Sequence, residues 1–177
     1  MKKIRLKTQD IVYIAVSAAI LAICSQISIP AAIPFTLQTF ATAFIGAYFG
    51  AKRGVGAVLV YILLGIAGIP VFAGFRAGFP ALLGGTGGYI IGLIPFAAAA
   101  GLFAKRSAKK LPIMLAGMFL GLVACYALGT AWYVHIYAEK GLMYALSACV
   151  VPFILPDTIK LVLAALLVKR LPPISGI

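Results

Sequence analysis

The stretch VVPFILPDTIKLVLAALLVKR, residues 150–170, decides how the chain is read. Between Lys160 and Lys169 it is aliphatic on every face, unlike a helix at a water-facing surface. A run of this kind suits a helix crossing roughly 30 Å of hydrocarbon, which takes about 20 residues. Yet it carries Asp157 and Lys160. Lys169 and Arg170 mark the inner end of the span, and Lys160 lies about 13 Å deeper along a helix rising ~1.5 Å per residue. A charge at that depth is costly and usually belongs to a substrate or ion path. The spacing puts Asp157 and Lys160 on one helix face. Pro156 is expected to start a helix, since its missing N–H is no loss in a first turn. Asp157 would then lie at the positive end of that helix. One alternative is an ion pair that satisfies only itself. The other is a polar patch facing a ligand, with Asp157 accepting N–H bonds and Lys160 holding an oxygen.

The same apolar texture runs through the chain. Of 177 residues, 64% are hydrophobic and only 10% charged, where soluble domains carry about a quarter. Six apolar segments stand out, at residues 10–29, 35–51, 54–71, 86–104, 112–137 and 147–168. They predict an all-α polytopic membrane protein, six transmembrane helices making a single domain over residues 1–177. Fifteen lysines and arginines against three acids give a formal charge of +12. A basic excess can signal nucleic acid, but here the bases sit in short clusters between apolar runs, so no nucleic-acid partner is expected. Lys2, Lys3, Arg5 and Lys7, then Lys52 and Arg53, then Lys105, Arg106, Lys109 and Lys110, then Lys169 and Arg170 fall on one side of a six-span chain. Only Arg76 and Lys140 fall opposite. The positive-inside rule therefore predicts a plasma-membrane protein with both termini cytoplasmic. MKKIRLKTQD at the start is read as the lead-in to a retained first helix, and Trp132, Tyr133 and Tyr137 as an outer aromatic belt.

Polar groups on the outer side are the remaining candidates. PVFAGFRAGFPALLGGTGGY, residues 70–89, is glycine-rich and interrupted by Pro80, as a loop capping a ligand site or a plain surface loop would be. Arg76 offers a planar fork for a carboxylate. Thr36 and Gln38, in IPFTLQT (residues 33–39), offer uncharged hydrogen bonds or merely satisfy a helix start. GGTGGY, residues 84–89, lacks the Lys-Ser/Thr ending of a phosphate loop; its glycines suit close helix packing, leaving Thr86 and Tyr89 as ligand contacts. In the first span, Ala15 with Ala19 and Ala18 with Ala22 form small-xxx-small pairs, suited to packing within this chain or to docking a separate one. Cys24, Cys125 and Cys149 lack the spacing of a zinc site or disulfide framework and read as apolar fillers. His135 has no second ligand or base at a useful spacing, so neither metal nor enzyme chemistry is expected.

IPFTLQT, GGTGGYIIG (84–92), GTAWY (129–133) and VPFILPDTIK (151–160) occur in that order, and together they resemble the BioY family. These are biotin-binding S components of energy-coupling-factor (ECF) vitamin transporters. The resemblance implies a six-helix S-component bundle and a biotin pocket near the outer face. It implies ligand contacts at Asp157 and Lys160, and around Thr86, Tyr89 and the loop before them. Phe72, Tyr89 and Trp132 would supply aromatic surface for the rings of biotin, with Lys160 or Arg76 on oxygen. It further implies that the alanine stripe docks a transmembrane coupling subunit driven by two cytoplasmic ATPases. Biotin would be the transported ligand, with no cofactor. Where the family usually has proline in its Gly-Pro-Thr-Gly-Gly-Tyr motif, this chain has Gly85. Alternatives are an S component for another vitamin, a membrane-embedded enzyme or a passive channel.

Overall fold

The computed structural model describes residues 7–31, 33–106 and 110–172. Lys2, Lys3, Arg5 and Lys109 of the charge pattern lie outside the described residues. The helices are α1 (Thr8–Gln26), α2 (Gln38–Phe49), α3 (Ala51–Ile66), α4 (Phe79–Leu83), α5 (Gly87–Arg106), α6 (Leu111–Ile136), α7 (Gly141–Cys149) and α8 (Val151–Arg170). The six apolar segments overlap α1, α2, α3, α5, α6 and α8 in turn. By length and composition, four stretches are able to cross a membrane: Thr8–Gln26, Gly87–Arg106, Leu111–Ile136 and the run Ala138–Arg170. α2 and α3, with 12 and 16 residues, reach only about 18 and 24 Å.

Three features depart from the sequence expectations. A minimal antiparallel hairpin, β1 (Ser28–Ile29) with β2 (Phe35–Thr36), joins α1 to α2, so the chain is not purely helical. Two further short helices appear, α4 outside the six segments and α7 running into the start of the sixth. Pro156 does not start a helix. α8 begins at Val151 with Pro152 in its first turn, and Pro156 lies inside it. Pro152 already supplies the residue that tolerates a missing N–H at a helix start. Asp157 is therefore past the first turn, and its charge is met by side chains rather than by a helix terminus.

The bases Lys7, Lys52, Arg53, Lys105, Arg106, Lys169 and Arg170 gather at one end of the bundle. Arg53 Nε meets Asp10 Oδ1 at 2.7 Å, tying the start of α1 to the α2–α3 corner. The Tyr48 hydroxyl donates to Pro172 O at 3.1 Å, bringing the end of α8 to the same place. A side chain at Gly101, near the end of α5, would strike the Ala51 backbone. The end of α1 and the loop after α3 lie at the other end.

α2 is the central helix. It contacts α1, α3, α5 and α8 and buries Ala41, Ala43, Ile45 and Ala47. Small residues let these backbones close up without a hydrophobic drive between helices in lipid. The outward faces of α1, α6 and α8 expose Val16, Ile23, Leu120, Val123, Ile159 and Leu163. So much contiguous exposed apolar surface is a liability in water and normal against acyl chains. This is a membrane protein.

Candidate functional site

At the end opposite the bases, the bundle opens into a cavity of about 750 Å³, mouth included. α2 starts there, which places Gln38 and Thr39 on its wall; α8 supplies Asp157 and Lys160, and α6 supplies Tyr126. The loop 67–78 and α4 close one side, bringing Phe72, Ala73, Arg76 and Ala81.

The charged pair forms the polar centre. Lys160 Nζ lies 2.8 Å from Asp157 Oδ1, and Asp157 is 1% and Lys160 7% exposed. Neither faces lipid, and both line the cavity. Thr39 Oγ1 donates to Asp157 Oδ1 at 2.9 Å, and the Tyr126 hydroxyl to Oδ2 at 2.6 Å. Lys160 also donates to Thr36 O at 2.6 Å and lies 3.9 Å from the centroid of the Phe35 ring. Such neighbours are what a buried ion pair needs, because its Coulomb energy alone barely offsets desolvation. The short β hairpin has a role here, since it carries both Phe35 and the Thr36 carbonyl to the lysine. Phe35 in turn packs against Phe153 of α8, with the ring centroids 5.5 Å apart and the planes tilted by 30°.

A second polar chain crosses the cavity wall. Gln38 Nε2 donates to the Tyr61 hydroxyl at 2.8 Å, and Gln38 Oε1 accepts from Thr36 Oγ1 at 3.1 Å. Tyr89 and Thr130 share a hydrogen bond of 3.1 Å, and Thr86 Oγ1 donates to Ala81 O at 3.4 Å. The remaining wall is apolar or aromatic. A few converging polar groups in such a wall suit a small molecule that is largely apolar and is oriented by hydrogen bonds.

The chain matches the BioY family over residues 1–176. It belongs to that family. It is 40% identical, over 92% of its length and 95% of the relative's, to the "Biotin transporter BioY" of Thermotoga maritima. It is 34% identical to the "Probable biotin transporter BioY" of Pyrococcus horikoshii, covering 94% and 98% of the two chains. The fold is similar to the crystal structure of the S-component for biotin from an ECF-type ABC transporter, with a TM-score of 0.84, 25% identity and 94% of each chain covered.

On the BioY scaffold, all seven sequence candidates for ligand contact line the one cavity: Asp157, Lys160, Arg76, Thr86, Tyr89, Gln38 and Phe72. Trp132 does not; its Nε1 instead donates to Gly84 O at 3.0 Å, fastening the turn before α5. Tyr133 is buried rather than at a headgroup belt. A Cβ at Gly85 would sit 2.7 Å from the Tyr137 ring and 3.0 Å from that of Tyr133. A ring in the position where the family usually has proline would collide with this tyrosine pair. The alanine stripe divides: Ala15 and Ala19 are exposed on α1, whereas Ala18 is buried and Ala22 half-buried against the core.

Thr39, Tyr126, Phe35 and Tyr61 escaped the sequence reading. Thr39 ends IPFTLQT, one residue from Gln38. Tyr126 begins a polar series with Thr130 and Tyr133 at i, i+4 and i+7, a single helical face in an otherwise aliphatic α6. Cys125 and Cys149 also line the cavity, consistent with small apolar fillers.

Proposed function

We propose that this chain is the high-affinity biotin-binding membrane subunit of an ECF transporter, mediating biotin uptake with energy supplied by partner subunits. One observation carries the reading: a buried carboxylate–ammonium pair on the wall of a largely apolar cavity. The names of the relatives give that cavity a ligand. Biotin presents two ureido N–H donors and a carbonyl, apolar rings and chain, and a terminal carboxylate. In this reading Asp157 accepts the ureido N–H groups and Lys160 faces the ureido oxygen. Gln38 and Thr86 add uncharged hydrogen bonds, and Phe72 and Tyr89 flank the rings. Arg76 is exposed at the mouth and has no ion pair among the described residues, which suits the carboxylate tail.

The proposed topology is a single domain with six crossings in the plasma membrane and both termini in the cytoplasm. The gathering of bases at one end supports it. Ala15 and Ala19 are exposed for docking a transmembrane coupling subunit, itself driven by two cytoplasmic ATPases.

The test is direct. Small molecules released from detergent-purified protein are identified by mass spectrometry, and calorimetry compares biotin with thiamine and riboflavin. Biotin alone should bind. Asp157→Asn and Lys160→Ala should each weaken it about ten- to a hundred-fold, the worth of a hydrogen bond to a charged group. Wild-type affinity in both variants would remove the site assignment, and binding of a different vitamin would replace the ligand.

A further inference from the structure

The loop over the cavity mouth is held by one side chain that no motif singled out, Gln26, the last residue of α1. Its Nε2 donates to Pro70 O at 3.2 Å and to Phe72 O at 3.1 Å, while its Oε1 accepts from Phe75 N at 3.0 Å. A single amide thus binds main-chain groups at three points of the loop. The neighbouring Ser25 hydroxyl reaches Val71 O. From this geometry we infer that Gln26 is the positioning residue of the mouth loop, a latch that sets how long a ligand stays in the cavity.

The loop needs such a fastening. Gly68, Gly74 and Gly78 have φ of 95°, 71° and 79°, and Phe75, the only non-glycine with positive φ among the described residues, has φ 57°. That is an uncommon conformation for a bulky residue. It persists only where the surroundings impose it, and Gln26 takes the Phe75 amide. Within the loop itself, Phe72 N to Arg76 O and Gly78 N to Gly65 O are the longer-range ties. The latch also decides what the loop delivers. Phe72 is 2% exposed, its ring is T-shaped against Tyr61 at 5.5 Å, and a Cβ on Gly65 would lie only 2.0 Å from it. Tyr61 in turn holds Gln38. Gln26 therefore acts on the cavity through Phe72, without lining it.

The bonds to Pro70 and Phe75 lie at exposed positions, so water can replace them when the loop lifts. A polar latch of this kind is reversible, because exchanging protein for water partners leaves only a modest net free energy per bond. A purely apolar seal would not reopen so readily.

The inference rests on biotin being the ligand, so the experiment separates the two. Dissociation of radiolabelled biotin is timed for wild type, Gln26→Leu and the exposed control Ile27→Ala, and hydrogen exchange is followed at the Phe75 amide with and without biotin. Gln26→Leu should release biotin on the order of ten-fold faster, from the loss of two to three hydrogen bonds, and should lose protection at Phe75; Ile27→Ala should match wild type. Equal dissociation rates in Gln26→Leu and wild type, or a Phe75 amide unprotected in the wild-type protein itself, would overturn the latch. Should Gln26→Leu fail to fold, the wild-type exchange decides: protection at Phe75 that rises with biotin supports the latch, and unchanged protection overturns it. Wild type that binds no biotin would refute the ligand instead, and Phe75 exchange in Gln26→Leu would still test the latch.

Discussion

Asp157 accepts hydrogen bonds from Lys160, Thr39 and Tyr126, which come from three different helices. An arrangement built for stability alone would be better served by aliphatic packing, since buried ion pairs are often worth no more than apolar residues of the same volume. Removing one partner is a different matter. Lys160→Met fills the same space without the charge and leaves a buried carboxylate uncompensated, so detergent-purified protein should lose about 3–5 kcal/mol of stability. The double variant Asp157→Asn, Lys160→Met should regain most of that loss in thermal unfolding, while failing to bind biotin. A double variant as unstable as Lys160→Met would mean that the cost came from lost packing and not from charge.

Among the elements, α5 and α6 share the most extensive helix contact. Tyr89 of α5 lies over Gly129 of α6, where a Cβ would approach its ring to 2.2 Å. Its hydroxyl reaches Thr130 in the next position. Gly129→Ala must therefore push the helices apart or turn the Tyr89 ring into the cavity. Overpacking of this sort costs about 1–3 kcal/mol, and a ring turned inward takes ligand volume. Gly129→Ala is expected to lower both the unfolding temperature and biotin affinity, by differential scanning fluorimetry and calorimetry. Combining it with Tyr89→Leu should restore the unfolding temperature by removing the clash. No recovery would put the strain elsewhere on α6.

Across the whole molecule, one end carries the bases and the other the cavity, with α1 running between them. Its exposed Ala15 and Ala19 form a flat strip on the bundle surface, and its buried Ala18 holds the helix to the core. Ala19→Leu should abolish co-purification with a transmembrane coupling subunit while leaving biotin binding intact. Ala18→Leu should instead depress the unfolding temperature. The reverse pattern would assign the exposed strip to lipid alone. Orientation can be read in the same preparation. In a cysteine-free background, Lys140→Cys should label with an impermeant maleimide from outside intact cells, and Lys169→Cys only after permeabilisation. Labelling of Lys169→Cys in intact cells would invert the topology.

The six apolar segments, the clusters of bases between them and the Asp157–Lys160 pair within the last of them were all legible along the chain, because hydropathy and charge are local properties. The pair's spacing in α8 already put both groups on one face. Whether that face met lipid, another helix or a hollow depended on partners such as Thr39 and Tyr126, more than thirty residues away in sequence. Pro156 read as a helix start because local propensity carries no knowledge of Pro152 doing that task first. The hairpin that brings Phe35 to Lys160, and the single amide of Gln26 across the mouth loop, left no periodic trace, since two-residue strands and side-chain-to-backbone bonds impose none. Composition and order along the chain thus determined that this is a polytopic membrane protein with a charged site, while only the packing of α2 among its neighbours decided that the site opens onto a cavity.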